Sequence, residues 1–135
     1  MNIRMSVRAK WIPAFGFIVS ALAVGVPYIL IPYRDLNLPS ALYGPGLCVL
    51  VVAAALTLGC AATTFWKGVA IIGASVPAII LLRVAVETAA DPTSHNLWPF
   101  EIVIGSIVSA LCAFAGALVG WIIWKLRGRD SAVRS

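Results

Sequence analysis

Four long apolar stretches run through this chain and are separated by short segments that carry most of its charges. The stretches cover residues 11–33, 46–65, 69–88 and 99–124. Each is close to the roughly 20 residues that an α-helix needs to cross the hydrocarbon core of a bilayer. The sequence therefore predicts an all-α membrane protein whose four transmembrane helices form an antiparallel bundle, with residues 1–135 as a single membrane domain.

The positions of the basic residues predict the orientation. Short flanking segments that carry Lys and Arg stay on the cytoplasmic side of a membrane. Both tails, 1–10 and 125–135, and the connection between the second and third stretches are therefore expected in the cytoplasm. These three segments hold eight of the ten basic residues: Arg4, Arg8, Lys10, Lys67, Lys125, Arg127, Arg129 and Arg134.

Composition excludes an ordinary soluble domain. Hydrophobic residues make up 61% of the chain and charged residues only 11%, and the mean hydropathy is +1.00, far from the soluble average. The net charge of +5 could suggest nucleic-acid binding, but the basic residues flank apolar runs and do not share one polar face. We expect them to contact lipid headgroups, and we expect no nucleic-acid partner.

The first stretch has an alternative interpretation as a cleaved signal peptide. A basic start, an apolar region and the segment Ala21-Leu22-Ala23 resemble the parts of such a signal. The apolar run continues for ten residues beyond Ala23, which favours a retained helix. The orientation of the following stretches is the same under both interpretations.

Two features shape the middle of the chain. The connection Trp66-Lys67-Gly68 is so short that the second and third stretches are expected to form a helical hairpin. Pro77 removes one backbone donor and is expected to bend the third helix.

Small residues form a stripe along the fourth stretch, because their spacing of three or four places them on one helical face. Small side chains let helix backbones approach closely in lipid. The stripe predicts helix packing inside the bundle, and a contact with another chain is the alternative. Its members are Gly105, Ser109, Cys112, Gly116 and Gly120.

Ionisable residues gather towards the expected outer face. Arg83 lies inside the third stretch, Glu87 follows one helical turn later, and His95 and Glu101 come after the turn that starts at Asp91. We expect Arg83 to extend towards the headgroups and to pair with Glu87 or Glu101, with the carboxylates hydrated at the interface. A functional charge cluster is the alternative, because ionisable groups inside membranes often mark sites.

No pattern predicts catalysis or cofactor binding. The odd number of cysteines, Cys48, Cys60 and Cys112, all lie in apolar stretches without a C-x-x-C spacing. No nucleophile, base and orienting group recur in a recognisable arrangement. We therefore expect no enzyme activity, no metal and no cofactor.

The sequence favours a small multi-pass protein of a bacterial inner membrane that acts through contact, as an accessory or interaction subunit. Its partners would be the lipid bilayer and either another membrane protein or further copies of itself. The alternative is an oligomeric channel or transporter that uses Arg83, Glu87 and Glu101.

Overall fold

The computed structural model describes residues 7–31, 44–60, 62–90 and 98–133, and the side chains of 11–31, 44–60, 62–90 and 98–127. All regular secondary structure in these ranges is helical, which confirms the all-α prediction. The helices are α1 (Val7–Leu30), α2 (Pro45–Gly59), α3 (Phe65–Gly73), α4 (Ser75–Ala90) and α5 (Trp98–Val133).

Within the described ranges, three helical segments are long and apolar enough to cross a membrane, and they indicate a membrane protein. They are Trp11–Leu30, Phe65–Ala90, which comprises α3 and α4, and Trp98–Arg127. Helix α2 is shorter, with 15 residues. At about 1.5 Å per residue it measures about 22 Å, less than the ~30 Å of a typical hydrocarbon core.

The predicted connection at Trp66-Lys67-Gly68 is wrong, because these residues lie inside α3. Helix α2 ends at Gly59, six residues before the predicted end of the second stretch. Glycine weakens a helix, and Thr64 then takes an extended backbone conformation (φ −74°, ψ 155°) as the residue that precedes α3. The continuous apolar character of 46–65 concealed this break.

Pro77 accompanies an interruption of the third stretch. Helix α3 ends at Gly73 and α4 begins at Ser75. The carbonyl of Gly73 would accept a bond from the amide of residue 77 in a continuous helix, and proline has no such amide. The helix is therefore interrupted at Ala74, three residues before the proline, and the bend itself stays a prediction.

Contacts between the helices define their directions. Gly16, in the first half of α1, lies beside Thr57 near the end of α2 and Ile72 near the end of α3. Tyr28, near the end of α1, bonds to Glu101 at the start of α5. Helices α1, α3 and α4 therefore run in one direction, and α2 and α5 run in the other.

This arrangement gives the bundle two chemically different ends. The basic end, where α3 starts and α5 finishes, holds Lys67, Lys125 and Arg127. The Arg83 end, where α4 finishes and α5 starts, holds Arg83, Glu87 and Glu101. Between them lies an apolar core formed mainly by Val24, Tyr28, Leu50, Ala54, Ile72, Val76, Ile80 and Ala113.

Candidate functional site

Arg83 connects α4 to the end of α1. Its side chain is only 3% exposed, and its Nε donates to Oε1 of Glu87 at 2.8 Å. One terminal nitrogen donates to the carbonyl oxygen of Tyr28, and the other donates to that of Ile31 at 2.8 Å. All three guanidinium nitrogens are thus bound inside the protein.

The sequence explains why α1 needs this donor. In a regular helix the carbonyl of Tyr28 would accept from the amide of residue 32, but residue 32 is a proline and has no N–H. A positive charge is also favoured at a helix C-terminus, where carbonyl groups lack partners. Arg83 supplies both the missing donor and the charge.

Tyr28 continues the contact towards α5. Its ring lies under the guanidinium of Arg83, with the Cζ atom 4.7 Å from the ring centroid. Its hydroxyl donates to Oε2 of Glu101 at 2.9 Å. Glu101 is 2% exposed and Tyr28 is 1% exposed, so α1, α4 and α5 are joined by a buried polar chain, which we call the Arg83 network: Tyr28, Arg83, Glu87 and Glu101.

The structure bears on two sequence-based expectations about these residues. Arg83 is buried and its guanidinium binds carbonyl groups at the end of α1, so its reach towards the headgroups stays a prediction. Glu101 is not hydrated at an interface, because α1 covers it and Tyr28 donates to it. The structure contains the expected pair between Arg83 and Glu87, whose side chain is 31% exposed. Asp91 and His95 lie outside the described residues.

Sequence reasoning missed the role of Tyr28 in this site. The sequence feature that could have indicated its role is Pro32, four residues later. A proline at that spacing leaves a helical carbonyl without a donor, and a buried carbonyl must find one elsewhere. Arg83 supplies this donor from a parallel helix.

The small-residue stripe contains a second contact of the same type. Ser109 Oγ donates to the carbonyl oxygen of Gly73 at 2.8 Å. Pro77 is the residue that leaves this carbonyl without its own donor. Ser109 therefore joins α5 to the junction between α3 and α4.

The remaining stripe residues lie against neighbouring helices within the same chain. A Cβ added at Gly116 would collide with the carbonyl oxygen of Val51, and one added at Gly120 with that of Ala55. Gly105 faces the side chain of Ile80. Cys112 is half-buried and packs against the apolar core.

Two other buried hydroxyl groups form hydrogen bonds with the backbone of their own region. Thr57 donates to the carbonyl of Ala53 and Ser75 to that of Ile72, both at 2.7 Å. Among the described residues, Ser20 Oγ is the buried side-chain polar atom without a hydrogen-bond partner. The same residues contain no group of three or more His, Cys, Asp or Glu side chains that could hold a metal ion.

Comparisons of the chain with protein-family models, curated proteins and solved structures found no match.

Proposed function

We propose that this protein crosses a bacterial inner membrane four times, with both termini in the cytoplasm. The shared location of Lys67, Lys125 and Arg127 at one end of the bundle supports this orientation, because basic flanks favour the cytoplasmic side. The tight packing of α2 against α5 supports a fourth, shorter span. Local thinning of the bilayer would accommodate its length at modest cost.

Within that membrane we propose that the protein acts through helix contact, as an accessory or interaction subunit. The observation that carries this proposal is that the polar groups of the Arg83 network form hydrogen bonds with one another and with the backbone of the same chain. The guanidinium of Arg83 donates to one carboxylate and two carbonyl groups of the same chain. A guanidinium held in this way joins α4 to the end of α1, and at 3% exposure little of it is open to a transported anion.

The interior of the bundle supports the same conclusion. Transport requires a polar path or cavity near the middle of the bilayer. The described hydroxyls there mostly bond to backbone carbonyls, and the core between the two ends is apolar. The arrangement favours a rigid helical unit that presents its outer surfaces to lipid and to a partner.

An oligomeric channel or transporter is the second candidate. The observation that favours it is the buried carboxylate of Glu101, since ionisable groups inside membranes are often functional. In this candidate Glu101 and Tyr28 would move a proton or cation between copies of the chain. Glu87, which is partly exposed, would form the entrance.

Purification from native membranes in a mild detergent, followed by mass measurement of the intact complex, tests the first proposal. We expect a different protein in fixed stoichiometry with this chain. A species that contains only copies of this chain would contradict the accessory role.

Flux through reconstituted liposomes separates the two candidates. We expect no proton or cation flux above that of empty liposomes. Flux that is lost in Glu101→Gln while assembly is unchanged would establish transport, because Gln keeps an acceptor for the Tyr28 hydroxyl and removes the charge. Glu87→Gln tests the entrance separately, since it removes the same charge from a less buried position.

A further inference from the structure

A groove near the basic end is lined by two tryptophans. It lies between the α2–α3 connection and α5, and its volume is about 220 Å³. The two indole side chains are 41% and 46% exposed, so the groove opens to the surroundings of the protein. We call it the tryptophan groove, and its lining residues are Leu58, Thr63, Thr64, Phe65, Trp121 and Trp124.

The rim of this groove is positively charged. The ammonium group of Lys125 lies 4.8 Å from the centroid of the Trp121 ring, at the wall of the groove. Lys67 is exposed and lies two residues after Phe65 in α3. The acidic side chains that the structure describes, Glu87 and Glu101, lie at the opposite end of the bundle. Among the described side chains, the charged ones at this end of the bundle are therefore cations.

The connection before α3 adds a hydroxyl group to this rim. Thr64 is exposed, and its side chain makes no capping hydrogen bond to the first turn of α3. A threonine in this position ordinarily bonds to its own helix. Here its hydroxyl is available to a ligand that lies between α3 and Lys125.

We propose that the tryptophan groove binds one anionic phospholipid. The acyl chain would pack on Leu58, Trp121 and Trp124, and the phosphate would lie between Thr64 and Lys125. Apolar walls below a positive rim match the two parts of such a lipid, and basic pockets between membrane helices bind anionic headgroups. Tryptophan side chains also favour the depth at which chain and headgroup meet. This inference concerns a lipid and does not depend on the proposed protein partner.

Native mass spectrometry of the delipidated full-length protein tests the proposal. The protein in mild detergent is titrated with phosphatidylglycerol and, separately, with phosphatidylcholine that has the same acyl chains. We expect one molecule of phosphatidylglycerol to bind more tightly than phosphatidylcholine. Equal affinity for the two lipids would overturn the proposal.

Two charge variants locate the headgroup. Lys125→Gln should weaken phosphatidylglycerol binding about fivefold, the effect of one basic residue near an anionic lipid, and leave phosphatidylcholine unchanged. Arg127→Gln is the matched control, because it removes the same charge two residues further along α5 and roughly on the opposite helical face. An equal loss in both variants would indicate general surface charge and contradict a defined site.

Two further measurements identify the occupant. Trp124→Ala should weaken the binding of both lipids, because it removes a wall of the acyl-chain site. In native membranes, a photoreactive residue in place of Thr64 should crosslink to lipid. A crosslink to another protein chain, or displacement of the lipid by soluble glycerol phosphate, would overturn the lipid assignment.

Discussion

Among the described residues, two carbonyl groups that lie four residues before a proline are each bound by a side chain from another helix. Arg83 donates to Tyr28 ahead of Pro32, and Ser109 donates to Gly73 ahead of Pro77. A third proline, Pro27, stands four residues after Ala23. There Gly46 brings α2 so close that an added Cβ would lie 2.6 Å from the Ala23 carbonyl oxygen. At these three positions the carbonyl ahead of a proline lies at a contact between helices.

Removal of the Ser109 hydroxyl should lower the free energy of unfolding by an amount that depends on whether residue 77 is proline. Ser109→Ala leaves the Gly73 carbonyl buried without a donor, and we expect it to lower the free energy of unfolding by about 1 kcal/mol. In a Pro77→Ala background the new amide of residue 77 can supply that donor, so the same substitution should cost much less.

Unfolding in mixed micelles, followed for the four members of this double-mutant cycle, measures the difference. Ser106 provides a control, because it lies on the same helix and is only half-buried. Equal costs of Ser109→Ala in both backgrounds would show that the proline does not create the need for the serine.

At the scale of elements, the packing of α5 against α2 is set by two glycines. Gly116 and Gly120 face the backbone of α2 at Val51 and Ala55, where a side chain would meet carbonyl oxygens. Gly105 faces the tip of the Ile80 side chain, which can rotate away. Glycine is therefore needed for close backbone packing at 116 and 120, whereas at 105 a small side chain meets the movable tip of Ile80.

Alanine substitutions should reveal this difference. Gly116→Ala and Gly120→Ala should each lower the free energy of unfolding by roughly 1–3 kcal/mol, because a methyl group must push two backbones apart. Gly105→Ala should cost less than either. Gly44→Ala is a control without steric conflict, since nothing lies within 4 Å of the added atom.

The same unfolding assay in mixed micelles ranks these variants. A larger loss for Gly105→Ala than for Gly116→Ala would contradict the close approach of α2 and α5.

At the scale of the whole molecule, the directions of the helices separate the charges. Basic side chains of α3 and α5 meet at one end, and the Arg83 network joins three helices at the other. Short basic segments resist transfer across a membrane. This separation is the basis of the proposed orientation.

Reporter insertions test that orientation and the proposed crossing by α2. A fluorescent protein that folds only in the cytoplasm should be active after Ser135 and when inserted at Thr63. Alkaline phosphatase should be active when inserted between residues 34 and 43 or between 91 and 97. Phosphatase activity at Thr63 would contradict a crossing by α2, and activity after Ser135 would contradict the cytoplasmic C-terminus.

The sequence alone determined the helical class and the membrane environment of this protein. Long apolar runs can satisfy their backbone groups in lipid only as helices or closed barrels, and runs of this length fit helices. It also predicted the Arg83 to Glu87 pair, because residues four apart on a helix are neighbours. These properties are local, so a short segment is enough to specify them.

Only the tertiary structure decided which helices meet and which polar groups they share. The burial of Glu101 and the position of Arg83 on the end of α1 depend on Tyr28, which is more than 50 residues away from either in sequence. The break at residues 60–64 was hidden for a related reason. Within this apolar stretch hydropathy is nearly uniform and does not show where a helix ends. The helix boundaries depend on the positions of glycine, threonine and proline and on the helices that pack beside them.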